Sequence, residues 1–246
     1  MVFKAEHINW QCVAGRQLKL LASLLPPTPG LRVTVFGSAP LQLLLDAGFL
    51  SQDVDVFPQE DFFTLVSDVV DANNLSKDKT EFFFQVCDHL AFKSTVDWPL
   101  RATEVILNGH HFRLVHPWDV LVSKLQRLEE KDLNAFKLVI GKTGHPTEAE
   151  FIRHLQKAVD LYRPKFDEET ARGDMLMNTR LLWRELWHRD IDVRAEIIRP
   201  AIQRAEREYQ DFDPTLKDRL AEIGRRREQS RDTTPPPPPS TSGGTT

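Results

Sequence analysis

Apolar positions in the first half of the chain alternate with a period that changes every ten residues or so. "GRQLKLLASLLPP" (15–27) has helical spacing and should stop at Pro26 and Pro27, which cannot continue a helix. After the "PPTPG" turn, "LRVTVF" (31–36) is rich in β-branched residues and predicts a strand. Pro40 suits the first turn of a helix, so "PLQLLLDAG" (40–48) should be helical and end at Gly48. "QDVDVF" (52–57) is the next strand, and "PQEDFFTLVSDVVDANNL" (58–75) a helix again opened by proline. Three strand-like runs follow: "EFFFQVC" (81–87), "AFKSTVD" (91–97) and "EVILNGHHFRLV" (104–115), the last a hairpin turning at Asn108-Gly109.

From Pro117 the period becomes helical. "PWDVLVSKLQRLEE", "DLNAFKLVIGK", "EAEFIRHLQKAVDLY", "MNTRLLWRELWHRD" and "VRAEIIRPAIQRAEREY" each place apolar residues on one stripe, and a charged helix near 214–228 should close the series. The expected layout is an α/β (α+β) domain at 1–116, a helical domain at 117–230 and a disordered, low-complexity tail at 231–246.

Within the first domain, Asp53 and Asp55 stand out. Strand side chains alternate between faces, so these two carboxylates share one face while Val54 and Val56 point into the core. Adjacent like charges gain a sheet nothing. A divalent cation reverses that balance and leaves positions open for phosphate oxygens, and two such cations about 3.5–4 Å apart clamp a phosphoryl transfer. Gly37 and Ser38 form the complementary half: glycine lets the backbone approach a phosphate, and the helix after it would aim N–H groups at the anion. Ser38 would either cap that helix or bond a phosphate oxygen. Each feature alone is common; the order strand, Gly-Ser, helix, Asp-x-Asp strand is far more specific.

Composition narrows the class further. The 246 residues suffice for one large or two modest domains, and 41% hydrophobic with 28% charged is an ordinary globular balance. The net charge of −4 gives no bulk argument for nucleic acid. Residues 151–246 nevertheless carry 18 Lys/Arg, 15 of them arginine, the side chain suited to bidentate phosphate contacts or to an ion-paired helical face. Cys12 and Cys87 are too few for a disulfide framework or a four-cysteine zinc site. The opening "MVFKAEHINWQC" lacks a signal-peptide pattern, and no apolar run approaches the roughly 18 residues of a membrane span, so a cytoplasmic protein is expected. His89, His110, His111 and His116 match no zinc spacing and read as exposed turn residues. Phe82, Phe83, Phe84, Trp183 and Trp187 read as core.

"VFGSAPLQLLLDAGFLSQDVDVF" resembles the signature of the DNA polymerase β-type nucleotidyltransferase superfamily: hydrophobic-Gly-[Gly/Ser], a helical spacer, then Asp-hydrophobic-[Asp/Glu]-hydrophobic. "HPWDVLVSKLQRLEEKDLNAF" (116–136) is similar to the downstream helix of the AbiEii-like branch. The resemblance covers roughly 30–140. It implies a nucleotidyltransferase-like mixed sheet flanked by helices, with Mg²⁺ on Asp53 and Asp55 and an NTP triphosphate on Gly37 and Ser38. Lys124 and Asp132 match the branch's basic residue and the acid after it. Some relatives are toxins that modify tRNA, which implies an RNA acceptor and a cognate antitoxin. Two departures accompany the match: the 14-residue spacer from Ser38 to Asp53 is slightly long, and the third carboxylate of a two-metal site is not fixed. Asp97, ending "AFKSTVD", is the first choice and Asp88 the rival.

Lys124 lies on the stripe Leu121, Lys124, Leu125, Leu128, so it either meets a triphosphate or carboxylate or snorkels to solvent. Asp132 either fills the family position or caps a helix. The expected activity is Mg²⁺-dependent transfer of a nucleotidyl group from an NTP to an acceptor hydroxyl, with Asp97 as ligand of a second metal and Lys124 offsetting charge on the leaving phosphates. A non-catalytic nucleotide sensor and an aminoglycoside-type nucleotidyltransferase are the alternatives.

Overall fold

A computed structural model of the chain describes residues 3–167 and 175–212. The β-branched run forms the middle of a five-stranded mixed sheet, order β3-β2-β1-β5-β4, built from β1 (Arg32–Val35), β2 (Asp53–Pro58), β3 (Phe83–Val86), β4 (Thr103–Leu107) and β5 (His110–Leu114). β1 runs antiparallel to β2 and parallel to β5, and β2 runs parallel to β3. β4 and β5 form the expected hairpin, with Asn108 at φ 49° and Gly109 at φ 82°. Positive φ at both turn residues is what a tight two-residue hairpin needs, and Asn-Gly supplies it at little cost.

Eight α-helices occur among the described residues: α1 (Val13–Leu24), α2 (Ala39–Leu44), α3 (Phe63–Ala72), α4 (Pro117–Lys124), α5 (Glu130–Thr143), α6 (Glu148–Asp167), α7 (Met175–Trp187) and α8 (Arg199–Phe212). Leu18 and Leu21 of α1 and Val66 and Val70 of α3 bury their stripes with Val33, Val35, Val54 and Val56 in one core. Burial alternates along β2, so Asp53, Asp55 and Phe57 share the opposite face. No helix among the described residues is long and apolar enough to cross a membrane.

Several local expectations are corrected. "AFKSTVD" is not a strand. Asp88 caps a 3₁₀ turn at His89–Ala91, and Ser94 and Thr95 spend their hydroxyls on carboxylates rather than leaving the backbone to a ladder. Pro58 ends β2 instead of opening a helix, and α3 starts only at Phe63. α2 stops at Leu44, short of Gly48. The helix expected over 117–130 ends at Lys124, and after Leu128 at φ 47° the next helix, α5, starts at Glu130, two residues before the expected 132, with Glu129 and Asp132 forming its capping box. Before α8, Arg194–Ile198 winds as a π-helix. Pro200 has no N–H to continue the regular ladder there. His110 and His116 are buried, not exposed. His116 caps α4 through its ring nitrogen. Trp183 is fully buried and stacks on Phe151.

The chain forms two compact units, Met1–Ala201 and a second beginning at Ile202, so the expected boundary at 116/117 falls inside the first unit. The helix expected near 214–228, Arg225 to Arg227 and the 231–246 tail lie outside the described residues.

Candidate functional site

Gly37 turns the chain out of β1 with φ +64°, a conformation that favours glycine. A Cβ there would sit 1.9 Å from Asp55 Oδ2, so only glycine lets the carboxylate rest against this turn. The Phe36 N–H donates to the Asp55 carbonyl at 3.0 Å, fixing turn and strand together. Ser38 stands at the start of α2 without capping it through its side chain. Its Oγ instead lies 3.3 Å from Lys124 Nζ. α2 has only six residues, so the helix terminus contributes less than the side chains around it.

Lys124 is 9% exposed, which decides between its two readings: it is a buried, paired lysine and not a snorkelling one. Its Nζ donates to Asp132 Oδ1 at 3.0 Å. Asp132 is fully buried at the third position of α5, where it is the acid of the capping box and not the N-cap, which is Glu129. Arg127 reaches Asp132 with Nε at 3.0 Å and Nη2 at 3.1 Å, and the Glu129 N–H adds a bond at 3.1 Å. Burial alone would raise the Asp132 carboxyl, but Arg127 and Lys124 outweigh it and hold it below the ordinary carboxylate range.

These groups line one cleft of about 550 Å³ together with Asp53, Asp55, Gln85 and Lys131. Ser51 Oγ donates to Asp53 Oδ1. Asp55 has no such donor among the described residues. Burial first, and then the neighbouring Asp53, push its carboxyl up to about 7 against the pull of Lys124, Arg127 and Lys131. An aspartate so raised is short of positive charge, and its Oδ2 rests where a Cβ at residue 37 would otherwise sit. That chemistry fits a divalent cation at Asp53 and Asp55.

The structure thus brings together Gly37, Ser38, Asp53, Asp55, Lys124 and Asp132. It does not bring Asp97 to them. Asp97 takes bonds from Thr95 at 2.7 Å, Arg101 at 2.9 Å and Lys157 at 3.0 Å, and these overcome burial to keep it strongly ionised. Asp88, the rival, accepts from the N–H groups of Leu90 and Ala91 and is not part of the cleft lining. No group of three His, Cys, Asp or Glu that could hold a metal occurs among the described residues. The residue across from Asp55 on β3 is Gln85.

The sequence reading missed Arg127, Lys131 and Gln85. The two cations were within reach of the pattern, since they flank the break between α4 and α5. It also missed Asp119, fully buried in α4, which binds Arg101 through Nε at 2.9 Å and Nη2 at 2.8 Å and accepts from Ser94 at 2.5 Å. His154 Nε2 lies 3.2 Å from the same carboxylate.

Comparisons with protein-family models, curated proteins and solved structures gave no match.

Proposed function

We propose that the protein is a Mg²⁺-dependent nucleotidyltransferase that transfers a nucleotidyl group from an NTP to an acceptor hydroxyl, with RNA, such as tRNA, as the acceptor class. The observation that carries this reading is convergence. A glycine turn after β1, an aspartate pair on β2 and a buried lysine on α4 come from three separate segments and line the same cleft. Mg²⁺ held by Asp53 and Asp55 would neutralise charge on the phosphates. The turn at Gly37 and Ser38 Oγ would seat phosphate oxygens. Lys124, aimed by Asp132, would offset charge developing on the leaving pyrophosphate, with Arg127 and Lys131 beside it. The acceptor oxygen bonds to the α-phosphorus, the α–β bridge breaks, and the hydroxyl proton leaves to solvent at the open cleft.

The test is incubation with Mg²⁺, total tRNA and each α-³²P-labelled NTP, wild type beside an Asp53→Ala/Asp55→Ala variant. Label on RNA with the wild type alone is the expected result. Label transferred equally by the variant sinks the site. One observation favours a second reading, a nucleotide sensor without transfer: Asp97 is committed to Arg101 and Lys157 and completes no acid triad. NTP binding without label transfer to RNA or to small polyol or amino-sugar acceptors would identify that sensor.

A further inference from the structure

The parallel register of β2 and β3 sets Gln85 directly beside Asp55, as it sets Phe83 beside Asp53. Paired residues on neighbouring strands share a face and lie about 4.8 Å apart, so Gln85 occupies the next position along the row of cleft-facing side chains. It lines the cleft. A carboxamide there offers an oxygen ligand and two N–H donors but no negative charge. The remaining cleft carboxylate, Asp132, is saturated by Lys124, Arg127 and the Glu129 N–H. Beside the substrate phosphates, two divalent cations a few ångströms apart would therefore have from the protein only the two negative charges of Asp53 and Asp55, on a cleft that already carries Lys124, Arg127 and Lys131.

We infer that the cleft holds a single divalent cation on Asp53 and Asp55, with Gln85 as the neutral neighbour that keeps a second cation out. This rests on the nucleotidyltransferase reading and revises its two-metal expectation. One cation with two carboxylates and substrate phosphates is a normal Mg²⁺ arrangement, whereas a close pair needs bridging negative charge that Gln85 does not bring. The Gln85 side chain is then left to donate its N–H groups to a phosphate oxygen or to Asp55.

The test is electron paramagnetic resonance of Mn²⁺ bound to the full chain with an α,β-methylene NTP, which cannot be cleaved. The wild type should hold one Mn²⁺ with an isolated-ion spectrum, and Asp53→Ala/Asp55→Ala should hold none. Gln85→Glu, a swap at an exposed strand position, should hold two with a spin-coupled spectrum. A spin-coupled pair in the wild type overturns the single-cation inference and leaves the nucleotidyltransferase reading standing. An isolated ion in both wild type and Gln85→Glu overturns the role of Gln85. No Mn²⁺ on the wild type, or Mn²⁺ untouched by loss of both aspartates, overturns the underlying reading itself.

Discussion

Asp55 and Asp119 are both aspartates removed from bulk water, and their surroundings drive them in opposite directions. Burial pushes each carboxyl up. At Asp119, His154 and the two-point contact of Arg101 outweigh burial, and the group stays ionised well below the ordinary range. At Asp55 the nearest strong influence after burial is another carboxylate, and the value rises to about 7. The first network is closed: Ser94, Arg101 and His154 bind the irregular 92–101 segment and α6 to α4. The second is open: Lys124, Arg127 and Lys131 act on Asp55 but do not offset its burial and the charge of Asp53. A buried carboxylate with its partners present is a structural tie, and one without them is a candidate binding group.

The largest effect should come from removing both aspartates of the open site. Asp53→Ala/Asp55→Ala should lower nucleotidyl transfer by about 10³-fold or more while the fold persists, since neither side chain supports the core. Labelled transfer measured beside circular dichroism checks both halves.

Removing the closed-site carboxylate should do the reverse. Asp119→Ala leaves Arg101 and His154 without their shared anion and should cost about 3–5 kcal/mol of stability in urea unfolding. The sign with pH follows from the lowered carboxyl. The contribution is present above the unfolded value of 3.8 and is lost as pH falls through the lower folded value, so acid should narrow the gap between wild type and variant. A variant as stable as the wild type at pH 7 would show that the network is not a tie.

These two sites were not equally legible in the sequence. Asp53 and Asp55 could be read because strand alternation places them on one face whatever the rest of the fold does. The Asn108-Gly109 hairpin was readable for a similar reason: its turn chemistry is local. Asp119 was hidden because its partners are Ser94, Arg101 and His154, 18 to 35 residues away in the chain. The same network turned "AFKSTVD" away from the strand its composition suggested, and Asp97 away from the cleft. Gln85 was hidden differently, since a neutral residue in an aromatic run carries no chemical signal until the register sets it beside Asp55.

Asp55→Asn should change stability rather than fold. The folded protein holds the Asp55 proton more tightly than the unfolded chain, so wild-type stability should fall as pH rises from 3.8 towards about 7. Asparagine cannot ionise, so the variant should gain about 2 kcal/mol over metal-free wild type at pH 8, and close to nothing at pH 4. Saturating Mg²⁺ should shrink that gain by supplying the missing charge to the wild type alone. A gain equal at both pH values would mean that charge at Asp55 is not what strains the site.

The smallest effect should come from Arg127→Gln. Asp132 keeps Lys124 and the Glu129 N–H when Arg127 is lost, so its carboxylate is not orphaned as Asp119 would leave Arg101. The Arg127 side chain is also half exposed, which limits the ion pair to about 0.5–1 kcal/mol of stability. Its expected role lies in the cleft, as one cation of the wall that faces the phosphates. NTP binding should therefore weaken by roughly 3–10-fold, with a smaller slope of affinity against salt, while stability changes little. Unchanged NTP affinity together with lost stability would move Arg127 from the binding wall to the scaffold that holds Asp132. Asp132 would then be a closed tie like Asp119, leaving Lys124 and Lys131 as the cations of that wall, Lys124 with a buried carboxylate to aim it.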